Sequence, residues 1–160
     1  MKNIINPYDA GLNMCFGCGK KNSIGLKLRF TESDDYLHAS WQPAEIYEGY
    51  PNVLHGGIIA TLLDEIGAWC VSVKIGTAGV TSEMHTKYLN PVYINKGTVS
   101  LKAKIEEHTE KNAKIICQLF DGQQKLCAES VAKYFIYPEE IARKRFRYPG
   151  RDAFYEKKTY

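Results

Sequence analysis

With 160 residues, 44% of them apolar and 24% charged, the chain has the size of one domain and enough apolar content for a real core, which excludes disorder throughout. Its net charge of +3 resides in the segment 138–160, where the basic residues from Arg143 to Lys158 outnumber the acids, so residues 1–137 are formally neutral. A neutral body argues against nucleic acid as a partner, because such binding draws on a basic face across the domain. The start, Met1 to Met14, has one lysine and no apolar run, unlike a signal peptide. No stretch approaches the roughly 20 apolar residues that span a bilayer. The five cysteines show no pairing pattern, which fits reduced thiols. These features predict a cytoplasmic protein with no membrane partner.

Residues 1–23 lack periodicity and are expected to form an irregular N-terminal arm containing Cys15-Phe16-Gly17-Cys18-Gly19. Leu26, Leu28 and Phe30 then alternate with Lys27 and Arg29, the period of a half-buried strand. A turn at Ser33-Asp34-Asp35 precedes a second strand from Tyr36 to Trp41. Residues 42–56 are rich in glycine and proline and read as loop. From Gly57 to about Lys74 the apolar positions recur at helical spacing and cover more than half the circumference, which predicts a largely buried helix. The remaining stripe is small and polar: Gly57, Thr61, Asp64, Glu65, Ala68 and Ser72. Strand patterns follow over Val80–Leu89, Val99–Ile105, Lys114–Phe120 and Leu126–Tyr137. Two strands, one long buried helix and four more strands make an α+β fold, an antiparallel sheet curled around the helix. The expected organisation is an arm over 1–23, this domain over 24–137 and a basic tail over 138–160.

Asp64 is the most informative residue, because a carboxylate on a mostly apolar helix is costly to bury unless it is paired or used. The alternative is that Asp64 and Glu65 simply mark the wet face of the helix. His55-Gly56-Gly57 sits where that helix should begin. A helix start exposes free N–H groups and partial positive charge, and glycine admits close approach of a ligand, here a carbonyl oxygen becoming an oxyanion. Gly56 and Asp64 are eight residues apart, roughly 12 Å along a helix. A single chain therefore cannot bring both to one reacting atom, whereas two antiparallel neighbouring helices of a two-fold dimer can.

The segments that carry these residues resemble the PaaI-type hotdog thioesterases. They are Cys15-Phe16-Gly17-Cys18-Gly19 with Gly25-Leu26, the run from Leu54 to Glu65, Val80 to Met84, and Tyr88-Leu89-Asn90-Pro91-Val92. The resemblance implies a hotdog fold and hydrolysis of acyl-CoA, with coenzyme A entering as part of the substrate and no cofactor. It implies Asp64 as catalytic base or nucleophile, Gly56 as N–H donor to the thioester carbonyl, and Thr81 as a hydroxyl holding the attacking water. His55 and Gly57 would be substrate-binding residues, His55 shaping the loop or polarising the carbonyl region rather than acting as a base. Where some members carry Asn or Gln upstream of the histidine, this chain has Glu48-Gly49, so Glu48 is a candidate substrate-binding residue whose charge departs from the pattern. The expected assembly is a homodimer or a homotetramer. The alternatives are a non-catalytic acyl-CoA or lipid-binding hotdog protein and a dehydratase or hydratase, the last disfavoured because no histidine follows Asp64 on the helix.

Cys15-x-x-Cys18 has the spacing of half a zinc site, but no second pair follows at a usual distance, so no metal is assigned; a metal would need ligands from elsewhere, such as a neighbouring chain. Cys70, Cys117 and Cys127 read as core, and His38, His85 and His108 as structural. The tail reads as a helix and loop packed on a neighbour, the alternative being that its Arg and Lys residues meet the phosphates of coenzyme A.

Overall fold

The computed structural model describes residues 1–11 and 13–156. Seven antiparallel strands form one sheet: β1 (Lys2–Ile4), β2 (Arg29–Glu32), β3 (Leu37–Trp41), β4 (Gly79–Tyr88), β5 (Val99–His108), β6 (Asn112–Phe120) and β7 (Leu126–Ile136). Their order in space is β1-β2-β3-β5-β6-β7-β4. The long helix α1 (Gly56–Cys70) lies against β3, β4, β5, β6 and β7, so the sheet wraps it as the hydrophobic pattern predicts. Ile59, Leu62, Leu63, Ile66, Trp69 and Cys70 of α1 are buried against the inward side chains of the sheet, among them Leu101, Ile115, Cys117 and Leu119. Register shifts at Thr81/Glu83, Ile105/Glu107 and Leu119/Phe120 supply local bends of the kind that curl a sheet. Among the described residues, no helix is long and apolar enough to cross a membrane.

Two sequence expectations are corrected here. The arm is not wholly irregular: Lys2–Ile4 pairs with β2 and adds the edge strand β1. The predicted strand at Leu26–Phe30 instead begins at Arg29, because Lys27 adopts a left-handed backbone with φ 57°. Leu26 and Leu28 are nonetheless buried, so the alternation reported burial correctly and secondary structure incorrectly.

Past Cys70 the helix widens into a π turn over Val71–Ile75 and stops at Gly76, whose φ of 89° suits a residue without Cβ. This turn delivers Lys74 to Glu32 on β2, with Nζ–Oε1 at 2.7 Å. Lys74 also donates to the carbonyls of Ser33 and Asp34, and the Tyr155 hydroxyl donates to Glu32 Oε2 at 2.9 Å. Burial alone would raise the pKa of Glu32, but the hydrogen bonds from Lys74 and Tyr155 outweigh it and hold the carboxyl below its ordinary value. The stability that Glu32 contributes is therefore complete above the ordinary carboxylate range and is lost as pH falls through its lowered folded value. Lys74→Met should destabilise the fold by about 1–3 kcal/mol, since it removes the charged partner of Glu32 and leaves the carboxylate only the Tyr155 hydroxyl. Urea denaturation at neutral pH measures this.

The tail packs on its own domain. Helix α2 (Glu139–Phe146) leads to Tyr148, whose hydroxyl donates to the Ser72 carbonyl, and to the buried Phe154, edge-on to Trp69 at 5.5 Å. Arg143 and Lys144 pair with Glu139 and Glu140 one turn earlier in α2. Lys157, Lys158 and Tyr160, also counted in the basic tail, lie outside the described residues.

Candidate active site

α1 opens at a cap made by its own sequence. His55 has extended φ and ψ, and its Nδ1 accepts the Gly57 N–H at 2.9 Å. The imidazole therefore presents a lone pair at Nδ1 and carries its proton at Nε2. The Ile58 and Ile59 N–H groups donate to the His55 carbonyl. That leaves the Gly56 N–H as the helix-start donor that meets no acceptor among the described residues. The ring of Tyr88, on β4, lies beside Gly56, and its hydroxyl donates to the Gly56 carbonyl at 3.0 Å. The Gly57 N–H is thus taken up by the His55 cap, while the Gly56 N–H is left without an acceptor among the described residues.

Two turns along, Asp64 is held by two hydroxyls. Thr81 on β4 donates to Oδ1 at 2.7 Å. Tyr134 on β7 shares its proton between the Asp64 carbonyl at 3.1 Å and Oδ1 at 3.3 Å. Both partners sit on one carboxylate oxygen, so Oδ1 is fixed and Oδ2 accepts from no described group. Burial pushes the Tyr134 phenol far up, so it stays a donor at any working pH. Tyr134 fits because residue 67 is glycine: a methyl there would collide with the phenol oxygen.

Thr81 is thus brought to Asp64, with its hydroxyl proton on Oδ1 and the lone pairs of its oxygen left as acceptors. It lies at the bulge in β4, where an extra residue re-aims neighbouring side chains. Glu48 is exposed and its Oε1 accepts the Asn52 N–H at 2.7 Å, closing its own loop. Tyr134 and Tyr88 were missed as site residues. The available signal was weak: an inward-facing tyrosine on a strand needs a partner for its hydroxyl.

On the adjoining face of α1, Glu65 is not a solvent-facing residue. The arm folds over it: the Cys15 thiol donates to its carboxyl oxygens at 3.5 and 3.7 Å, and the Trp69 indole donates at 3.0 Å. Burial pushes the Glu65 carboxyl up to about 7. The hydrogen bond with Cys18 holds the Cys15 thiol below its ordinary value, while the same bond and burial push Cys18 up.

β4 forms an outer edge of the sheet, paired on one side by β7 and on the other by nothing among the described residues. It runs from Thr81, beside Asp64, to Tyr88, beside Gly56. The two ends of the candidate site are therefore the two ends of one unpaired strand edge.

Residues 51–128 match the family model described as the thioesterase superfamily. No curated protein matches the chain in sequence. Among solved structures, a Streptococcus mutans protein bound to acetyl-CoA superposes with a TM-score of 0.64 at 18% identity, over 70% of this chain and 90% of that one. The Escherichia coli PaaI protein of the phenylacetic acid degradation operon gives 0.64 at 19%, over 71% and 82%. A Haemophilus influenzae thioesterase gives 0.65 at 20%, over 75% and 85%. Residues 51–128, just under half of the chain, are thus similar to the thioesterase superfamily, and the chain has the hotdog fold.

Proposed function

We propose that the chain is an acyl-CoA thioesterase whose two active sites lie between the subunits of a homodimer, each built from Asp64 of one subunit and Gly56 of the partner subunit. The observation that carries this reading is the placement of Thr81–Asp64 and Tyr88–Gly56 at opposite ends of one free strand edge. Antiparallel pairing of β4 with its own copy about a two-fold through the strand's middle sets each Asp64 against the other subunit's helix start. The superposed Streptococcus mutans protein was solved with acetyl-CoA, which supports a coenzyme A thioester as substrate.

In the reaction, Asp64 Oδ2 takes a proton from water as the oxygen attacks the thioester carbonyl. The N–H of Gly56 of the partner subunit receives the oxyanion. The carbon–sulfur bond then breaks, and the coenzyme A thiolate leaves and is protonated. Thr81 and Tyr134 keep Oδ1 fixed, so the free oxygen needs no reorientation during the step. Should Asp64 attack directly, a mixed anhydride forms and water cleaves it. Coenzyme A enters only as part of the substrate, so no resident cofactor is required.

Mixing two inactive variants tests the shared site. Asp64→Asn and Gly56→Pro subunits, unfolded and refolded together at equal concentration, should regain about a quarter of wild-type acyl-CoA hydrolysis, because half the dimers are mixed and each mixed dimer holds one intact site. If both residues served one site within one chain, the mixture would stay inactive. A protein that is active and strictly monomeric would also overturn the proposal.

A further inference from the structure

The cluster beneath the N-terminal arm lies outside the thioesterase site. Cys15, Cys18 and Glu65 each offer one ligand atom, and these atoms all lie within 4.8 Å of one another. The sequence alone showed only half a zinc site; the fold brings the third donor from α1, fifty residues away in the same chain. The distances suit an ion. Sulfur at about 2.3 Å and oxygen at about 2.0 Å from zinc stand about 3.5 Å apart at a tetrahedral angle. The Cys15 sulfur lies 3.5 and 3.7 Å from the Glu65 oxygens.

The surroundings are built to hold these groups in place. The Gly19 N–H donates to the Cys15 carbonyl at 2.9 Å. Leu26 and Leu28 donate to the carbonyls of Phe16 and Gly17, and Asn6 and Arg29 both donate to the Cys18 carbonyl. A side chain at residue 17 would overlap the Glu65 carboxyl, so glycine there lets the loop close on it. The Trp69 indole fixes Glu65 Oε1, an outer partner of the kind that orients metal ligands.

We propose that Cys15, Cys18 and Glu65 bind a zinc ion that clamps the N-terminal arm onto α1, with a fourth position left to water. Two thiolates and a carboxylate suit zinc better than magnesium or calcium, which take oxygen ligands. The ion adds a link between the arm and α1 to the core packing of Ile4 and Cys18 and the hydrogen bonds that already join them.

Cobalt(II) reports on this site without any acyl-CoA, so the outcome is independent of thioester hydrolysis. Full-length protein, reduced and stripped with a chelator, is titrated with cobalt alone. The expected result is saturation at about one ion per chain with a sulfur-to-cobalt charge-transfer band, which zinc then displaces. Cys15→Ser and Cys18→Ser should lose the band, Glu65→Gln should weaken binding, and Asp64→Asn should leave it unchanged. Should a cysteine variant fail to fold, as circular dichroism would show, the wild-type charge-transfer band alone still decides. Absence of that band, a band that persists in a folded Cys15→Ser variant, or a Cys15–Cys18 disulfide re-forming in place of metal uptake would overturn the site.

Discussion

Asp64→Asn should lower kcat for acyl-CoA hydrolysis by about 10²–10⁴-fold, the range that a positioned general base contributes. The asparagine keeps the carbonyl oxygen that Thr81 and Tyr134 hold through Oδ1, so the local hydrogen bonds and the fold are retained. It replaces Oδ2, which meets no donor among the described residues, with an amide that cannot take a proton. The loss should therefore appear in kcat with little change in KM, and the urea midpoint should stay close to wild type. Steady-state kinetics beside equilibrium unfolding separates these readouts. An Asp64→Asn enzyme with wild-type kcat would move the chemistry elsewhere and favour a binding role for this helix face.

Gly56→Pro should cost about 10²–10³-fold in kcat, the usual effect of losing one oxyanion donor. Proline removes a single atom that matters, the N–H hydrogen, at a position that tolerates it. Gly56 is the first residue of α1, where proline is common because the N–H has no helical partner. His55 already has φ −60° and ψ 134°, the extended conformation required before proline. A Cβ at this position meets the Tyr88 ring at 3.6 Å, an ordinary contact. Gly56→Ala is the matched control: it retains the N–H, so a loss shared by both variants reflects crowding of the substrate, and a loss confined to proline reflects the donor. The same kinetic measurements decide between them.

The periodic parts of this architecture were legible because periodicity reports burial directly. The long apolar run after Gly57 gave α1, and the later alternations gave β4 to β7 with ends displaced by a few residues. What the sequence concealed was short or long-range. A three-residue strand such as Lys2–Ile4 has no period to read, and a single left-handed residue, Lys27, delays the start of a strand whose side-chain alternation begins earlier. Asp64, Gly56 and Thr81 stood out by residue type and motif. Tyr134 did not, because its hydroxyl reaches Asp64 across seventy residues of chain. The surroundings of Glu65 were hidden for the same reason: the alternative of a wet helix face stayed open for it, whereas the arm that covers it comes from fifty residues upstream.

The tyrosine that steadies Asp64 sits on β7, with β4 paired to one side of it and β6 to the other. Its backbone opposes Thr81 on the first and Ala113 on the second. A residue laddered on both flanks is released by cooperative opening of the sheet rather than by fraying of a loop. The aim of the carboxylate is thus tied to the global stability of the domain: while the sheet stands, local fluctuation has little means of letting the aspartate wander.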